Sequence, residues 1–149
     1  MGSKALAARA ARFVCAVPAL LAAACAGTNI EPEPVAPKGL ACVDDSRQCV
    51  EQRMTVLKGL MSDRDKRWVR EPATPEAYAS GVRLFAFKGR KKDLNCDELA
   101  IGKREADAGP AVLRGASSRL TPAQISRGAM LSGEVGKELG VEMRRRCKA

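Results

Sequence analysis

Six cysteines constrain the fold of this 149-residue chain more than any other feature, because paired thiols can staple a domain with a small core. They contain no Cys-x-x-Cys pair, which argues against a thioredoxin-like site and against covalent c-type haem, and their spacing is too wide for an all-cysteine zinc site. The chain has no histidine, so catalytic Ser-His and Cys-His couples are excluded. We predict no metal and no cofactor. Which cysteines are available to pair depends on how the first 25 residues are processed.

The N-terminal segment has the order of a secretory signal. Residues 1–12 carry three basic side chains and no acid, and residues 13–24 are apolar and uncharged. Such a short apolar run is insufficient for a transmembrane helix, and its continuity differs from an amphipathic mitochondrial presequence. We therefore predict a signal peptide over residues 1–24.

The end of the apolar run resembles the lipobox of bacterial lipoproteins, in which small residues precede the cysteine that receives the lipid. Residues 21–25 read LAAAC, but Ala22 stands where Leu is usual and Leu21 lies one place earlier. Ordinary signal-peptidase cleavage at an Ala-x-Ala site is therefore the alternative. The resemblance covers about the first 26 residues. It implies a membrane anchor through lipidated Cys25 and, with Ala26 after it, a periplasm-facing location at the outer rather than the inner membrane of the cell envelope.

Cysteine parity agrees with lipidation. If Cys15 leaves with the signal peptide and Cys25 carries the lipid, four thiols remain, an even number that suits two disulfides in an oxidising periplasm. One pair flanks the start of the first predicted helix, and the other lies at helix ends that meet if the last two helices are antiparallel. From the three pairings that four cysteines allow, we predict Cys42–Cys49 and Cys96–Cys147.

The chain downstream of the signal divides into a tether and a helical domain. Residues 25–40 contain three prolines and no apolar periodicity, which predicts a spacer that holds the domain off the membrane. Residues 41–149 contain four segments with helical signals and no convincing strand. We predict an all-α periplasmic domain, a small bundle of about four helices stapled by two disulfides.

The first two predicted helices are delimited by caps and prolines. The first runs from the cap at Ser46 to Glu71, and the second runs from the cap at Thr74 to the region of Gly89. Each has apolar residues at helical spacing. The inward stripe predicted for the first helix is Val50, Met54, Leu57, Met61 and Trp68, broadened by Cys49, Val56 and Leu60, and that of the second is Tyr78, Val82 and Phe85.

The last two predicted helices open with capping boxes. Asn95 and Glu98 begin the third, which Pro110 is expected to kink or end, and Thr121 and Gln124 begin the fourth. The predicted inward residues are Leu99 and Ala106 in the third helix and Ile125, Ala129, Leu139 and Met143 in the fourth.

The fourth helix also carries a stripe of small residues, one in every four. The stripe predicts close packing against another helix of the same domain, with a dimer seam as the alternative. Its members are Gly128, Ser132, Gly136 and Gly140.

Basic residues are concentrated in two runs. Loss of a signal peptide with three basic residues would lower the formal net charge from +9 to +6. The runs suit a solvated loop and a helix C-terminus, or alternatively a site for anionic lipid, lipopolysaccharide phosphate or peptidoglycan carboxylate. Nucleic acid is not an expected partner in this compartment. The candidate anion-binding residues are Lys88, Arg90, Lys91, Lys92, Arg144, Arg145 and Arg146.

The candidate catalytic side chains are limited to carboxylates. The adjacent pairs Asp44-Asp45 and Asp97-Glu98 lie at predicted helix starts, where they suit capping better than the facing acid and base of a glycosidase. We therefore predict no catalytic residue and a small envelope lipoprotein that binds or holds a protein partner or an anionic envelope component. The alternatives are a cell-wall hydrolase, or an accessory or inhibitor subunit of an envelope enzyme. The sequence does not determine the oligomeric state.

Overall fold

A computed structural model describes residues 38–147 of the chain. The predicted signal peptide 1–24, the lipidation site Cys25 and most of the predicted tether lie outside these described residues. Within them the fold is all-α, without a strand, and both disulfides have the predicted pairing, Cys42–Cys49 and Cys96–Cys147. The α-helices are α1 (Lys38–Ala41), α2 (Arg47–Ser62), α3 (Pro75–Ser80), α4 (Val82–Arg90), α5 (Cys96–Gly115) and α6 (Pro122–Arg146), with a 3-10 helix at Arg67–Arg70.

The packed part of the chain begins before the predicted boundary at residue 41. Leu40 in α1 is buried against Ala77 and Val82, with Val56 and Leu57 of α2 packed beside them. Leu40, which the sequence assigned to the tether, therefore packs against the domain.

The first predicted helix ends earlier than its periodicity indicates. The carboxylate of Asp63 accepts hydrogen bonds from the backbone N–H groups of Asp65, at 3.0 Å, and Arg67, at 3.1 Å. These local bonds compete with helix continuation, and Lys66 then takes a left-handed conformation with φ of 51°. Trp68 is therefore buried from the 3-10 helix rather than from α2.

The inward stripe predicted for the first helix is also wrong for three of its members. Val50, Met54 and Met61 are 41%, 49% and 41% exposed, whereas Cys49 is buried. The inward side of α2 consists of Leu57 from the predicted stripe together with the residues that were expected only to broaden it, Cys49, Val56 and Leu60.

The second predicted helix is divided at Gly81. This residue ends α3 and starts α4 in a left-handed conformation with φ of 72°, which glycine adopts without a steric penalty. The division rotates α4 relative to the single-helix expectation. Tyr78 and Val82 are buried as predicted, but Phe85 is 47% exposed.

The core is closed by the antiparallel pair α5 and α6. Both predicted capping boxes are present, and α5 continues through Pro110 to Gly115, so the expected kink or end is not found. Leu99 and Leu139 are fully buried. The small-residue stripe of α6 packs against α5 and neighbouring elements, as predicted: a Cβ atom on Gly109 would lie 2.8 Å from that of Ser132.

A buried ion pair joins the 3-10 helix to the bundle. The Arg83 guanidinium contacts the Glu105 carboxylate at 2.6 Å and donates hydrogen bonds to the carbonyls of Trp68 and Glu71. The positive charge of Arg83 is compensated because each of these partners is a hydrogen-bond acceptor. The pair therefore holds the α2–α3 connection against α4 and α5.

Candidate binding site

A cleft of about 260 Å³ lies between α2, the α3–α4 turn and α6. Gly81 lets the chain turn close to α6, since a Cβ atom there would lie 2.7 Å from a methyl group of Leu131. The cleft combines an apolar floor with two guanidinium groups. It is lined by Arg53, Ala79, Ser80, Gly81, Phe85, Arg127, Gly128 and Leu131.

The two arginines of the cleft, Arg53 and Arg127, are held by the segment that precedes α2. Arg53 Nη1 donates to the carbonyls of Cys42, at 3.2 Å, and Asp44, at 2.6 Å. Arg127 Nη1 lies 2.8 and 2.9 Å from the two carboxylate oxygens of Asp45, which is also 3.8 Å from Arg53 Nη2. Two cations and one exposed carboxylate leave a net positive charge.

Asp45 shows which chemistry this pair of arginines recognises. A carboxylate is the natural partner of a guanidinium, and charge-assisted hydrogen bonds of this kind are stronger than neutral ones. Because the Asp45 side chain is 69% exposed, an incoming carboxylate or phosphate could replace it with little desolvation cost. The cleft therefore suits an anionic group that adjoins an apolar one.

An apolar groove of about 160 Å³ continues from the cleft between α2 and α4. Phe85 and Arg53 belong to both, and the groove adds Val50, Met54 and Leu57. Methionine adapts its shape to different partners, so this continuation suits apolar contact rather than a single rigid ligand.

The first predicted basic run is largely neutralised by α6. Lys88 contacts the carboxylates of Glu134 and Glu138, and Lys91 contacts Glu138. Hydrogen bonds from Lys91 and Lys88 hold the pKa of Glu138 below its ordinary value, and hydrogen bonds to Glu134 and Glu138 raise the pKa of Lys88. Lys92 is exposed, with no ion pair recorded among residues 38–147. Arg90 donates to the carbonyls of Leu60 and Asp63, and its Nε lies 3.7 Å from the carboxylate of Asp93.

The second predicted basic run closes the end of the bundle. Arg146 donates to the carbonyls of Lys91, Lys92 and Leu94, which ties the end of α6 to the α4–α5 loop. Arg145 and Arg146 also contact Glu142, and the Arg145 hydrogen bond lowers the pKa of that carboxyl.

The structure therefore brings the two basic runs together at the α4–α5 loop and the end of α6. Arg144 is exposed there and forms no ion pair within the described part of the chain. Because most of these cations already have a partner, anion binding by these seven residues stays a prediction with less free charge behind it than the sequence indicated.

The acidic pairs at helix starts form local hydrogen bonds as well as the long-range ion pairs Asp45–Arg127 and Glu98–Lys66. The side chain and the backbone N–H of Ser46 lower the pKa of the Asp44 carboxyl, and Glu98 completes the α5 capping box. The group with metal-ligating atoms closest together in the described residues is Cys42, Asp44 and Cys49, but its two sulfurs form a disulfide and offer no thiolate.

Arg53 and Arg127 are the site residues that sequence reasoning missed. Arg53 lies in α2 and Arg127 in α6, and neither belongs to a run of basic residues. No spacing signal joins them, since they meet only through the packing of α2, α3 and α6.

Comparison of the chain with protein-family models, with curated proteins and with solved structures finds no match. In the part that the structure describes, none of the helices is both long and apolar enough to cross a bilayer.

Proposed function

We propose that this chain is a small lipid-anchored protein of the bacterial envelope whose folded domain binds an anionic group through the Arg53–Arg127 cleft. The lipobox-like residues before Cys25 support the anchor, and two disulfides suit an oxidising periplasm. The observation that carries the binding role is the pairing of two arginines with an apolar floor in one cleft. A carboxylate or phosphate would meet the arginines while its apolar neighbour rests on Phe85 and Leu131.

The environment of the acidic side chains favours binding over hydrolysis. A hydrolase of the glycosidase type needs one carboxyl that stays protonated near neutral pH. The lysines around Glu138 and the arginines around Glu142 lower the pKa values of both carboxyls and keep them ionised. The carboxylate that contacts the cleft arginines, that of Asp45, is paired with Arg127.

The binding proposal can be tested with two variants that act in opposite directions. Arg127→Gln removes a guanidinium that is 47% exposed, whereas Asp45→Asn removes the internal competitor of the ligand. We expect Arg127→Gln to weaken binding about tenfold and Asp45→Asn to strengthen it about threefold. The full-length membrane-extracted protein is measured against purified sacculi, which offer carboxylates, and against phosphatidylglycerol vesicles, which offer phosphates.

The matched controls change charge without touching the cleft. Arg104→Gln and Asp97→Asn alter exposed residues of α5 that form no ion pair in the described structure. If the controls shift binding as much as the cleft variants, only net charge matters and the cleft is not the site. Intact mass of the extracted protein tests the anchor separately, since loss of residues 1–24 together with added acyl mass is expected.

A further inference from the structure

The exposed side of α2 carries a regular apolar stripe. Val50, Met54, Leu57 and Met61 follow one another at intervals of four, three and four residues, which is the spacing of a coiled-coil seam. Three of them are 41–49% exposed, and Leu57 is half-buried. We call these four residues the α2 seam. The stripe lies on a 16-residue helix whose adjacent side, with Cys49, Val56 and Leu60, packs against the domain.

Helix α4 extends the α2 seam into a wider apolar surface. Phe85 lines the same groove as Val50 and Met54, and Met61 lies over Gly89, where an added Cβ would come within 2.9 Å of its methyl carbon. Four of the six large apolar side chains recorded as exposed in the described residues belong to this surface. Apolar exposure that is concentrated in this way marks an interface, whereas scattered exposure does not.

The charged residues that flank the α2 seam can pair with those of a second copy. Glu51 and Lys58 lie on the outer edge of the seam, each one position after a seam residue. If a second α2 packs antiparallel, Val50 faces Met61 and Met54 faces Leu57 of the other copy. Glu51 then lies beside Lys58 of the other copy, twice over by symmetry.

We propose that two copies of this chain associate through antiparallel packing of their α2 seams. The interface is isologous, so one surface serves both copies and the association closes as a dimer. The alternative dimer seam of the sequence, the small-residue stripe of α6, is not free because Gly128, Ser132, Gly136 and Gly140 are all buried within the domain.

Loss of the apolar contact tests the dimer directly. The full-length protein is extracted in detergent and its dimer dissociation constant is measured by sedimentation equilibrium with the detergent density-matched. Met54→Ser removes a central seam side chain from both copies, and we expect the constant to rise about tenfold or more. Met130→Ser is the matched control, since Met130 is 68% exposed on α6 away from the seam, and it should leave the constant unchanged.

Charge exchange tests the antiparallel geometry. Glu51→Lys alone and Lys58→Glu alone each place like charges opposite one another, and each should raise the dissociation constant about fivefold. The double exchange restores two opposite-charge pairs and should return the constant to within about twofold of the original. A parallel arrangement would not show this recovery.

Two results would overturn the proposal. One is a monomeric protein at concentrations up to about 100 μM, a range in which a specific dimer of even modest affinity would form. The other is a dimer that is indifferent to Met54→Ser and to both single charge changes. Cross-linking of the α2 seam to a different envelope protein in intact cells, with no self-association, would assign the surface to that partner instead. None of these variants alters Arg127 or Asp45, so failure here is distinguishable from failure of the anion-binding proposal.

Discussion

The α5–α6 pair and helix α2 each contain a disulfide-bonded cysteine, but they pack their side chains differently. Helices α5 and α6 approach closely through small residues, and a Cβ atom on Gly102 would lie 3.1 Å from Leu139 and one on Gly136 3.0 Å from Asp107. Helix α2 has long apolar side chains instead and leaves Met54 and Met61 at the surface. The pair is an internal, completed contact, whereas α2 has one completed side and one unpartnered side.

This difference teaches that an apolar stripe predicts burial without identifying its partner. Small residues let two backbones approach, so they are useful only where a second helix is present. Long apolar residues can pack inside a domain or across an interface, because burial removes apolar surface from water in both cases. The α2 seam has the periodicity of a core stripe, although only Leu57 of the seam packs against the core, beside Cys49, Val56 and Leu60.

Removal of each disulfide should produce the largest difference between the two regions. Cys96→Ser with Cys147→Ser opens a link between residues 51 apart, and should cost about 4 kcal/mol of the free energy of unfolding. Cys42→Ser with Cys49→Ser opens a link between residues seven apart, and should cost about 2.5 kcal/mol. Urea unfolding of the full-length extracted protein measures both. An equal or larger loss from the Cys42–Cys49 pair would break the comparison.

Substitution of a glycine at the α5–α6 contact should have the next largest effect. Gly109→Ala places a Cβ against Ser132, whose side chain is fully buried, and should cost about 2 kcal/mol because neither helix can retreat. Gly133→Ala is the control in α6, where an added Cβ meets nothing within 4 Å. It should stabilise the protein by up to about 1 kcal/mol through helix propensity alone. Destabilisation by both variants in the same unfolding assay would count against close packing as the cause.

The smallest predicted effect on the free energy of unfolding comes from replacing one acidic residue in each region. Burial would raise the pKa of Glu98, but hydrogen bonds from Lys66 and from the backbone of Asn95 outweigh it and hold the pKa below its ordinary value of 4.5. The stabilisation is therefore complete above that value and is lost as the pH falls through the folded-state pKa. Glu98→Gln should cost about 1.5 kcal/mol at pH 7 and should flatten the acid part of the stability profile.

Glu51→Gln provides the matched control in α2. Its carboxylate pairs with Arg47 at the surface and is 66% exposed, so the substitution should cost less than about 0.5 kcal/mol at pH 7. Unfolding free energies at several pH values between 3 and 7 measure both variants. An unchanged acid profile for Glu98→Gln would show that the buried capping box does not contribute the predicted pH dependence.

Much of the fold could be predicted because its signals are local. Asn95 and Glu98, like Thr121 and Gln124, form their capping boxes within one turn. The expected antiparallel contact of the last two helices was enough to pair Cys96 with Cys147.

Other boundaries depended on weaker competing signals. Asp63 ends α2 through hydrogen bonds that any Asp could make but that few helices use, and Gly81 divides a helix although Gly109 does not. Burial of Leu113 and Leu120 after Pro110 holds the second half of α5 and the following turn in the core. Whether a helix ends or continues at these positions depends on packing between residues that are far apart in the sequence.

By itself, the sequence predicted the starts of α2, α3, α5 and α6, the all-α class and, from three possible pairings, the two disulfides. Each of these starts depends on residues within one turn, and the pairing followed from the helix ends that were expected to meet. Only the tertiary structure decided which stripe of α2 faces outward, since two neighbouring apolar stripes are equivalent until other helices cover one of them. The same holds for Arg53 and Arg127. Distant residues meet where three elements pack, and only packing creates a cleft with their combined charge.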